Sequence, residues 1–571
     1  MAKKDGVSRR DFIKGAAAGT GAVALMGFGS KEAQAQSSIP QKWDLEADVI
    51  VVGFGGAGAC AAIEAHDAKA QVLILEKQGQ EKHFSNTRMS GGIFHNPEPT
   101  GDRKALKEYA KAMFSGENLP WKLEGEQPHV SDELAEAWAE YSPRNLDFMK
   151  QQDPEFKSMT TPGFSGAAFK NFPGAQESKY AVARSTYGAS LSRDFPSWDK
   201  PKSEKTSGEA FFTCLKTGVD RRGIKVLYNT PAKRLVKGND GEIMGVIAHR
   251  EGKEIACKAK KAVILTSGGY EYNKEMRRAF LEGPGVEGWA FYGTPENTGD
   301  GIEMALAVGA GLAKVGKAAS RIITAVPIRH HDLKVGLITD SVGGPGSMVV
   351  DNYGLRYAAE TLVTTDPSRY FFYKEAVKFD ILKLVYPRVP SWMVFDEAFR
   401  SRVTVTYLSL STAGYGFVPW TKDNMDAVNR GWIMKGDTPE ELAKKIQAHP
   451  ENRKLMVPEN LAKTVSKYNE FSKKGKDEDF NRVPRTLGII EKPPFYALPL
   501  YPGGPNTKGG IEANGKREVL DWKGKPIPRL YTAGEISSAL KFVYQGGGNL
   551  TECIVMGRIA GKNAAALKPW S

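Results

Sequence analysis

Cysteine is scarce in this chain of 571 residues, which carries four, at positions 60, 214, 257 and 553. No two stand in a Cys-x-x-Cys pattern, and no Cys-x-x-Cys-His occurs. Haem attachment to this chain is therefore excluded, and a zinc or iron–sulfur centre lacks its usual ligand spacing. Nothing specifies a disulfide; Cys60 and Cys553 lie among small residues in helical patterns and read as small buried hydrophobes. Long apolar runs are also missing. Beyond residue 35 no stretch approaches the ~20 apolar residues of a membrane span, so the mature protein is expected to be soluble, with no stable span. The net charge is +13, but the excess is scattered and no arginine stripe interleaves with aromatics. That argues against nucleic acid as a partner. Such a surface serves solubility, or steers an anionic substrate or an acidic redox partner. Internal repeats and low-complexity segments are absent.

What is present begins at the N-terminus. Ser8-Arg9-Arg10-Asp11-Phe12-Ile13-Lys14, the apolar run from Gly15 to Gly29 and then Ala33-Gln34-Ala35 follow one another. They form a basic region, an apolar region and a small-residue cleavage site in order. The paired arginines resemble a twin-arginine export signal, whose machinery carries folded, often cofactor-loaded proteins to the periplasm. Removal of residues 1–35 would leave Gln36 as the new terminus, with 36–46 as a linker. Hydrophobic content of 41% and charged content of 25% are ordinary for a globular protein, and the length calls for two domains.

Glycine is abundant, with 61 residues clustered where backbone must approach a ligand. Asp48 to Val52 is a short apolar run, Gly53-Phe54-Gly55-Gly56-Ala57-Gly58 opens a small-residue helix, and Gln71 to Glu76 is a second strand. This is a β-α-β unit. Its first glycine makes the tight turn, the second lets backbone reach a pyrophosphate, and the third lets helix and strand pack closely. A diphosphate then rests on the unpaired N–H groups of the helix start. Glu76, ending the second strand, is placed to accept from ribose hydroxyls. A dinucleotide is the expected ligand. Further strands are expected at Ile224 to Tyr228 and Ala262 to Thr266. A hairpin is expected over Glu242 to Ala256, after the turn residues Asn239-Asp240-Gly241. Asp102 to Asn145 reads as amphipathic helix. From Ala318 to Gly488 aromatic and charged residues become dense and the dinucleotide signals vanish, which predicts an inserted second domain.

Three later segments narrow the ligand. Val263-Ile264-Leu265-Thr266-Ser267-Gly268-Gly269-Tyr270 is a strand running into paired glycines. Thr298-Gly299-Asp300-Gly301 opens a small-residue helix. Leu530-Tyr531-Thr532-Ala533-Gly534-Glu535 is followed by Gly546-Gly547-Gly548-Asn549, Gly557-Arg558 and Ala560-Gly561. At these segments the chain resembles the flavoprotein family of soluble fumarate reductases, flavocytochrome c and 3-ketosteroid dehydrogenases, from about Asp48 to Leu567. The resemblance implies an α/β fold with a Rossmann-like, glutathione-reductase-like FAD-binding domain over 47–317 and 489–571. An inserted α+β substrate or capping domain would occupy 318–488. It implies FAD, held by Gly53, Gly55, Gly56, Ala57, Gly58, Glu76 and Lys77 at the first motif. Asn86, Thr87, Ser90, Gly91, Gly92, Ala232, Ser267, Gly268, Gly269, Thr298, Gly299 and Asp300 would continue the site, completed by Gly534, Glu535, Gly547, Asn549 and Leu550. Relatives with covalent flavin carry a histidine where Asn86 stands, so FAD is expected to be non-covalent; His83 is out of register for attachment. Asn549-Leu550-Thr551-Glu552 reads as a capping box, with Asn549 as N-cap and the positive helix end facing the flavin pyrimidine.

A reduced flavin delivers hydride to the β-carbon of a double bond conjugated to a carbonyl. The protein must stabilise charge on the carbonyl oxygen and bring a proton to the α-carbon; run backwards, the site dehydrogenates. Fumarate reductases hold substrate carboxylates with a histidine and an arginine where this chain has Asn506 and Gln545, and their acid is an arginine where Thr364 falls. Fumarate is therefore disfavoured. Ketosteroid dehydrogenases bind the carbonyl with a tyrosine and a glycine N–H, matched in position by Tyr544 and Gly548. Their tyrosine base also falls at Thr364, leaving Arg369 or Tyr370 as replacements. Of His330-His331, one at most is expected to face the pocket, with His330 the candidate. Lys508, Arg321 and Arg329 are cations for a carboxylate, or ordinary solvated surface. The expected activity is reduction of an unsaturated carboxylate or enone, fed by a separate cytochrome c or quinol-linked partner. The alternatives are a ketosteroid-type dehydrogenase and a flavin carrier without turnover. Replacing Arg9 and Arg10 together by lysine is expected to hold the precursor inside the cell; native periplasmic levels on fractionation would refute the export reading.

Overall fold

Strands apolar on both faces need cover on both sides, and the central sheet is built from such strands. The computed structural model describes residues 39–116, 128–160, 172–184, 207–281, 283–318, 321–339, 341–360, 372–408, 410–540 and 544–570. The expected export signal lies outside them. β1 (Leu45–Val52) buries Val49, Ile50, Val51 and Val52 in succession. α1 (Gly56–Asp67) is made of small residues buried almost all round. β2 (Val72–Leu75) returns parallel to β1, with Leu75 beside Val52. β3 (Lys225–Leu227) lies parallel beyond β2, β4 (Lys253–Leu265) flanks β1 on its other side, and Pro526–Thr532 lies parallel beyond β4. The resulting five-stranded parallel core carries an antiparallel pair, Ala232–Lys237 and Ile243–Arg250, against the first half of β4. The turn at Glu251-Gly252 has positive φ at both residues, 51° and 76°, as a tight hairpin requires. The α/β class and the hairpin expected from sequence are both present. Among the described residues, the helical stretch expected over Asp102 to Asn145 contains the helices Arg103–Phe114 and Pro128–Tyr141, the first capped by Asp102 accepting from the Lys104 and Ala105 amides.

A second sheet covers the carboxyl ends of this core. It contains β5 (Arg321–His330), β6 (Ser391–Asp396) and, between them, β7 (Phe495–Gly504), antiparallel to both. Ala290–Phe291 pairs with β7 and with Leu333–Leu337, Ser347–Val350 pairs with β6, and Met434–Gly436 pairs with β7. The sheet thus recruits Ala290–Phe291 and β7 from outside the expected capping span of 318–488. The reason is that β7 is buried along its whole length and finds its hydrogen-bonding partners on both sides in the cap.

The last helix, α2 (Gly548–Ala566), crosses α1 at backbone contact. A Cβ on Gly561 would lie 2.2 Å from the Ala61 carbonyl oxygen, and one on Gly557 would lie 2.7 Å from that of Ala57. Gly561→Val should therefore push the helices apart and lower stability by about 1–3 kcal/mol. Urea unfolding checks this; a variant as stable as the parent would mean that the crossing relaxes freely.

Candidate functional site

The turn after β1 sets the site. Gly53 has φ 101°, and a Cβ there would lie 2.8 Å from the Thr266 carbonyl oxygen at the end of β4. A Cβ on Gly58 would lie 2.1 Å from the Gly53 carbonyl oxygen. With side chains excluded, α1 starts directly under the sheet edge, and its N-cap, Gly55, has no side chain of its own to cap it. Thr87 Oγ1 accepts from the Gly56 amide at 2.9 Å, and the remaining N–H groups face a cavity of about 410 Å³. An uncapped helix start of this kind suits a diphosphate.

Glu76 closes one end. Its carboxylate accepts from the Phe54 and Gln78 amides, each at 2.8 Å, with His83 Nε2 3.7 Å away. Burial alone would raise its pKa, but the His83 ring and the two amides together hold it below the usual carboxylate range. His83 is 2% exposed and stacks on Phe54, so it serves Glu76 and the core. Nearby, Lys77 Nζ donates to Thr298 Oγ1 at 2.7 Å and pairs with Asp300 at 3.0 Å. Gly299, with φ 78°, caps the helix that Asp300 begins.

The loop from Ser85 to Gly92 is held from behind by Arg88, which pairs with Glu209 at 2.6 Å and donates to the His83 carbonyl at 2.7 Å. Asn86 Oδ1 accepts from the Thr294 amide at 2.6 Å, which aims its amide nitrogen at two carboxyls, Glu271 at 3.2 Å and Glu535 at 3.0 Å. Asn297 bridges the same pair at 3.4 and 3.3 Å. Burial, then the adjoining Glu271 carboxyl, push Glu535 well above the carboxylate range and favour its protonated form. Glu271 and Asn297 were not among the residues assigned to the site from sequence, and Lys508 stood there only as one of three isolated cations for a carboxylate. Glu271 and Asn297 carry no motif of their own and are recognisable only once folded.

Of the sequence-assigned cofactor residues, Gly53, Gly55, Gly56, Ala57, Glu76, Lys77, Asn86, Thr87, Ser90, Gly91 and Gly92 line the cavity. So do Ala232, Ser267, Gly268, Asp300, Gly534, Glu535, Gly547, Asn549 and Leu550. Gly58, Gly269, Thr298 and Gly299 stand behind that wall. The expected capping box does not form. Gly547, with φ 86°, is the N-cap of α2, and no side chain caps it. Asn549 is inside the helix, and Glu552 instead accepts from Ser538 Oγ and from the Ala539 and Leu540 amides. A second uncapped, positive helix end therefore meets the cavity.

The residues expected to act on substrate are distributed differently. Tyr544 lines the cavity. The Gly548 N–H donates to the Gln545 carbonyl at 3.0 Å and its Cα faces Leu540, so Gly548 offers no donor to a ligand. His330 ends β5 edge-on to Phe417, away from the cavity lining, and burial followed by the adjacent His331 lowers its pKa. Arg369 and Tyr370 lie outside the described residues. Before the break in the described residues, buried Glu360 pairs with Arg356 at 2.7 Å and Arg482 at 3.3 Å. Arg329 pairs with Glu287 on the surface. Gln545 accepts from Tyr109 at 2.7 Å, and the Asn506 amide donates to the Thr507 carbonyl. Beyond these positions the cavity continues between Tyr292, Arg321, Ile338, Tyr407 and Leu410, with the Arg321 guanidinium 5.9 Å from the Tyr292 ring centre.

Two uncapped helix starts, a carboxylate at the end of β2 and the buried, partnerless Ser267 Oγ on the cavity wall fit FAD. The fold and site define an FAD-dependent oxidoreductase. The chain belongs to the FAD binding domain family, which matches residues 48–550, and a twin-arginine translocation pathway signal sequence matches residues 6–26. That signal directs export to the periplasm, and among the described residues no helix is long and apolar enough to cross a membrane. The chain is 27% identical over 524 residues to the probable fumarate reductase Ifc3 of Shewanella frigidimarina, covering 90% of this chain and 74% of that one. It is 24% identical over 608 residues to the 3-oxosteroid 1-dehydrogenase of Mycolicibacterium smegmatis, covering 91% and 97%. A 3-ketosteroid delta1-dehydrogenase of Sterolibacterium denitrificans, solved with 1,4-androstadiene-3,17-dione, superposes with a TM-score of 0.73 at 23% identity, covering 91% of this chain and 99% of that one.

A carboxamide at position 86 has no ring nitrogen with which to bond a flavin. Acid precipitation of the holoprotein should release yellow FAD into the supernatant; colour retained in the pellet would establish a covalent link.

Proposed function

We propose that the protein reduces a carbon–carbon double bond conjugated to a carbonyl or carboxylate, with Tyr544 and Arg321 as the groups that hold the substrate. The observation that carries this reading is the continuation of the cavity past the FAD-binding residues into a chamber walled by the capping sheet and its loops. Bound FAD supplies the hydride chemistry. The protein's part is to bind, orient and exclude water. The Tyr544 hydroxyl is the donor to the carbonyl oxygen as charge builds there, and a donor in a dry site does this far better than water. Arg321, at the start of β5, presents a planar guanidinium to a carboxylate or enolate. Tyr292, Ile338, Tyr407 and Leu410 enclose an apolar body.

Fumarate is a poor candidate on this reading. Gln545 is committed to Tyr109 and Asn506 to Thr507, so neither supplies the cationic anchor its position has in fumarate reductases. Arg369 and Tyr370 stand as the proton-donor candidates, and a separate cytochrome c or quinol-linked donor supplies electrons in the periplasm. A second reading, dehydrogenation of a saturated ketone, is favoured by the tyrosine-rich chamber and by the 3-oxosteroid dehydrogenase relative. Assay in both directions separates them: reoxidation of the bleached flavin by unsaturated acids and enones, against dye reduction by saturated ketones. Inactivity in both would leave a flavin carrier. Tyr544→Phe should keep FAD and lose ~10²-fold in turnover, the usual scale for one oxyanion donor. Undiminished kcat in that variant removes Tyr544 from the chemistry.

A further inference from the structure

Behind the wall that Tyr544, Asn549 and Glu552 present to the cavity lies a lysine shut off from water. Lys508 is 1% exposed. The strand that carries it, Thr507–Ile511, is pressed onto the segment after Gly534: a Cβ on Gly510, whose φ is 126°, would lie 2.0 Å from the Ile536 carbonyl oxygen. The ammonium donates to Ser538 Oγ at 3.2 Å and to Asn549 Oδ1, and it lies 5.4 Å from the Tyr544 ring centre. Glu552 is the nearest acid, at 3.6 Å, but its oxygens are already engaged by Ser538 and two backbone amides. Glu535 and Cys553 also face the lysine; Glu535 favours its neutral form, and burial keeps the Cys553 thiol protonated. Burial lowers the pKa of Lys508, and the Glu552 carboxylate beside it opposes that shift, so the ammonium is kept at a cost in desolvation. Its geometry gives it work. Because Lys508 donates to Asn549 Oδ1, the Asn549 amide nitrogen must turn to Asn506 Oδ1, which it reaches at 2.8 Å. Both asparagines line the cavity.

We propose that Lys508 is a positioning residue for FAD: it fixes the Asn549 and Asn506 amides and supplies the charge that holds the reduced cofactor as an anion. The inference rests on FAD binding and is independent of the substrate reading. Reduction brings two electrons and one proton to the cofactor, leaving one negative charge. A cation fixed in a dry site favours that charge more than one in water does, and the uncapped start of α2 acts in the same sense.

The test is a spectroelectrochemical titration of the holoprotein across neutral pH. Lys508→Met should weaken the preference for reduced over oxidised FAD about tenfold, a fall of about 30 mV in the two-electron midpoint. Lys508→Arg should recover most of the shift, and Glu552→Gln, which removes the opposing charge, should move the midpoint upward. A lysine with only a structural part would weaken oxidised and reduced FAD alike. An unmoved midpoint in Lys508→Met therefore overturns the proposal, as does a downward shift in Glu552→Gln. Should these variants fail to hold FAD, the parent protein decides. An anionic reduced cofactor gives a slope of about 30 mV per pH unit, and a slope of about 59 mV, the mark of a neutral one, is the overturning result.

Discussion

Main chain pressed against main chain is the constraint on which the molecule depends. Gly58 sits on Gly53, Gly561 on Ala61 and Gly510 on Ile536, each at a separation that leaves no room for a Cβ. These contacts bring two helix starts and the end of a parallel sheet to one place. The N-caps of those helices, Gly55 and Gly547, bring no side chain of their own; Thr87 takes the Gly56 N–H, and the other N–H groups that a cap would have satisfied are left for a ligand. Glycine loses more conformational freedom on folding than any other residue. That loss is tolerated here because the same residues create both the close packing and the anion-binding surface.

Around this frame the polar groups are organised by burial. Two amides, Asn86 and Asn297, tie Glu271 to Glu535 and let a pair of carboxyls share one enclosed space. Opposite them, Lys508 and Glu552 form a second buried pair whose members are each oriented by other partners. Neither arrangement is a surface ion pair of negligible weight. In a site closed to water each charge acts at longer range and each amide has little freedom to turn.

The parts of this design that are local in the chain were legible in the sequence. The first glycine motif, the strands at Asp48 to Val52 and Leu530 to Thr532 and the hairpin over Glu242 to Ala256 each declare themselves within a short window. What was not legible depends on distant contacts. Asn549 and Glu552 have the spacing of a capping box, yet Gly547 takes the left-handed conformation that starts the helix earlier and frees both side chains for other partners. Nothing within β7 says that it belongs to the cap; its partners β5 and β6 are about a hundred residues or more away. Lys508, Arg321 and Arg329 look alike as isolated cations, and only the fold buries the first, aims the second into the cavity and leaves the third on the surface. Tyr292, Ile338, Tyr407 and Leu410 carry no motif and become a wall only together.

The central strand of the cap ends at Gly504, and Pro505 alone separates it from Asn506, Thr507 and Lys508. The capping sheet and the Asn506 amide that lines the cavity are therefore consecutive links of one chain. A displacement of the end of that strand would reach Asn506 across a single residue, with no loop between them to absorb it.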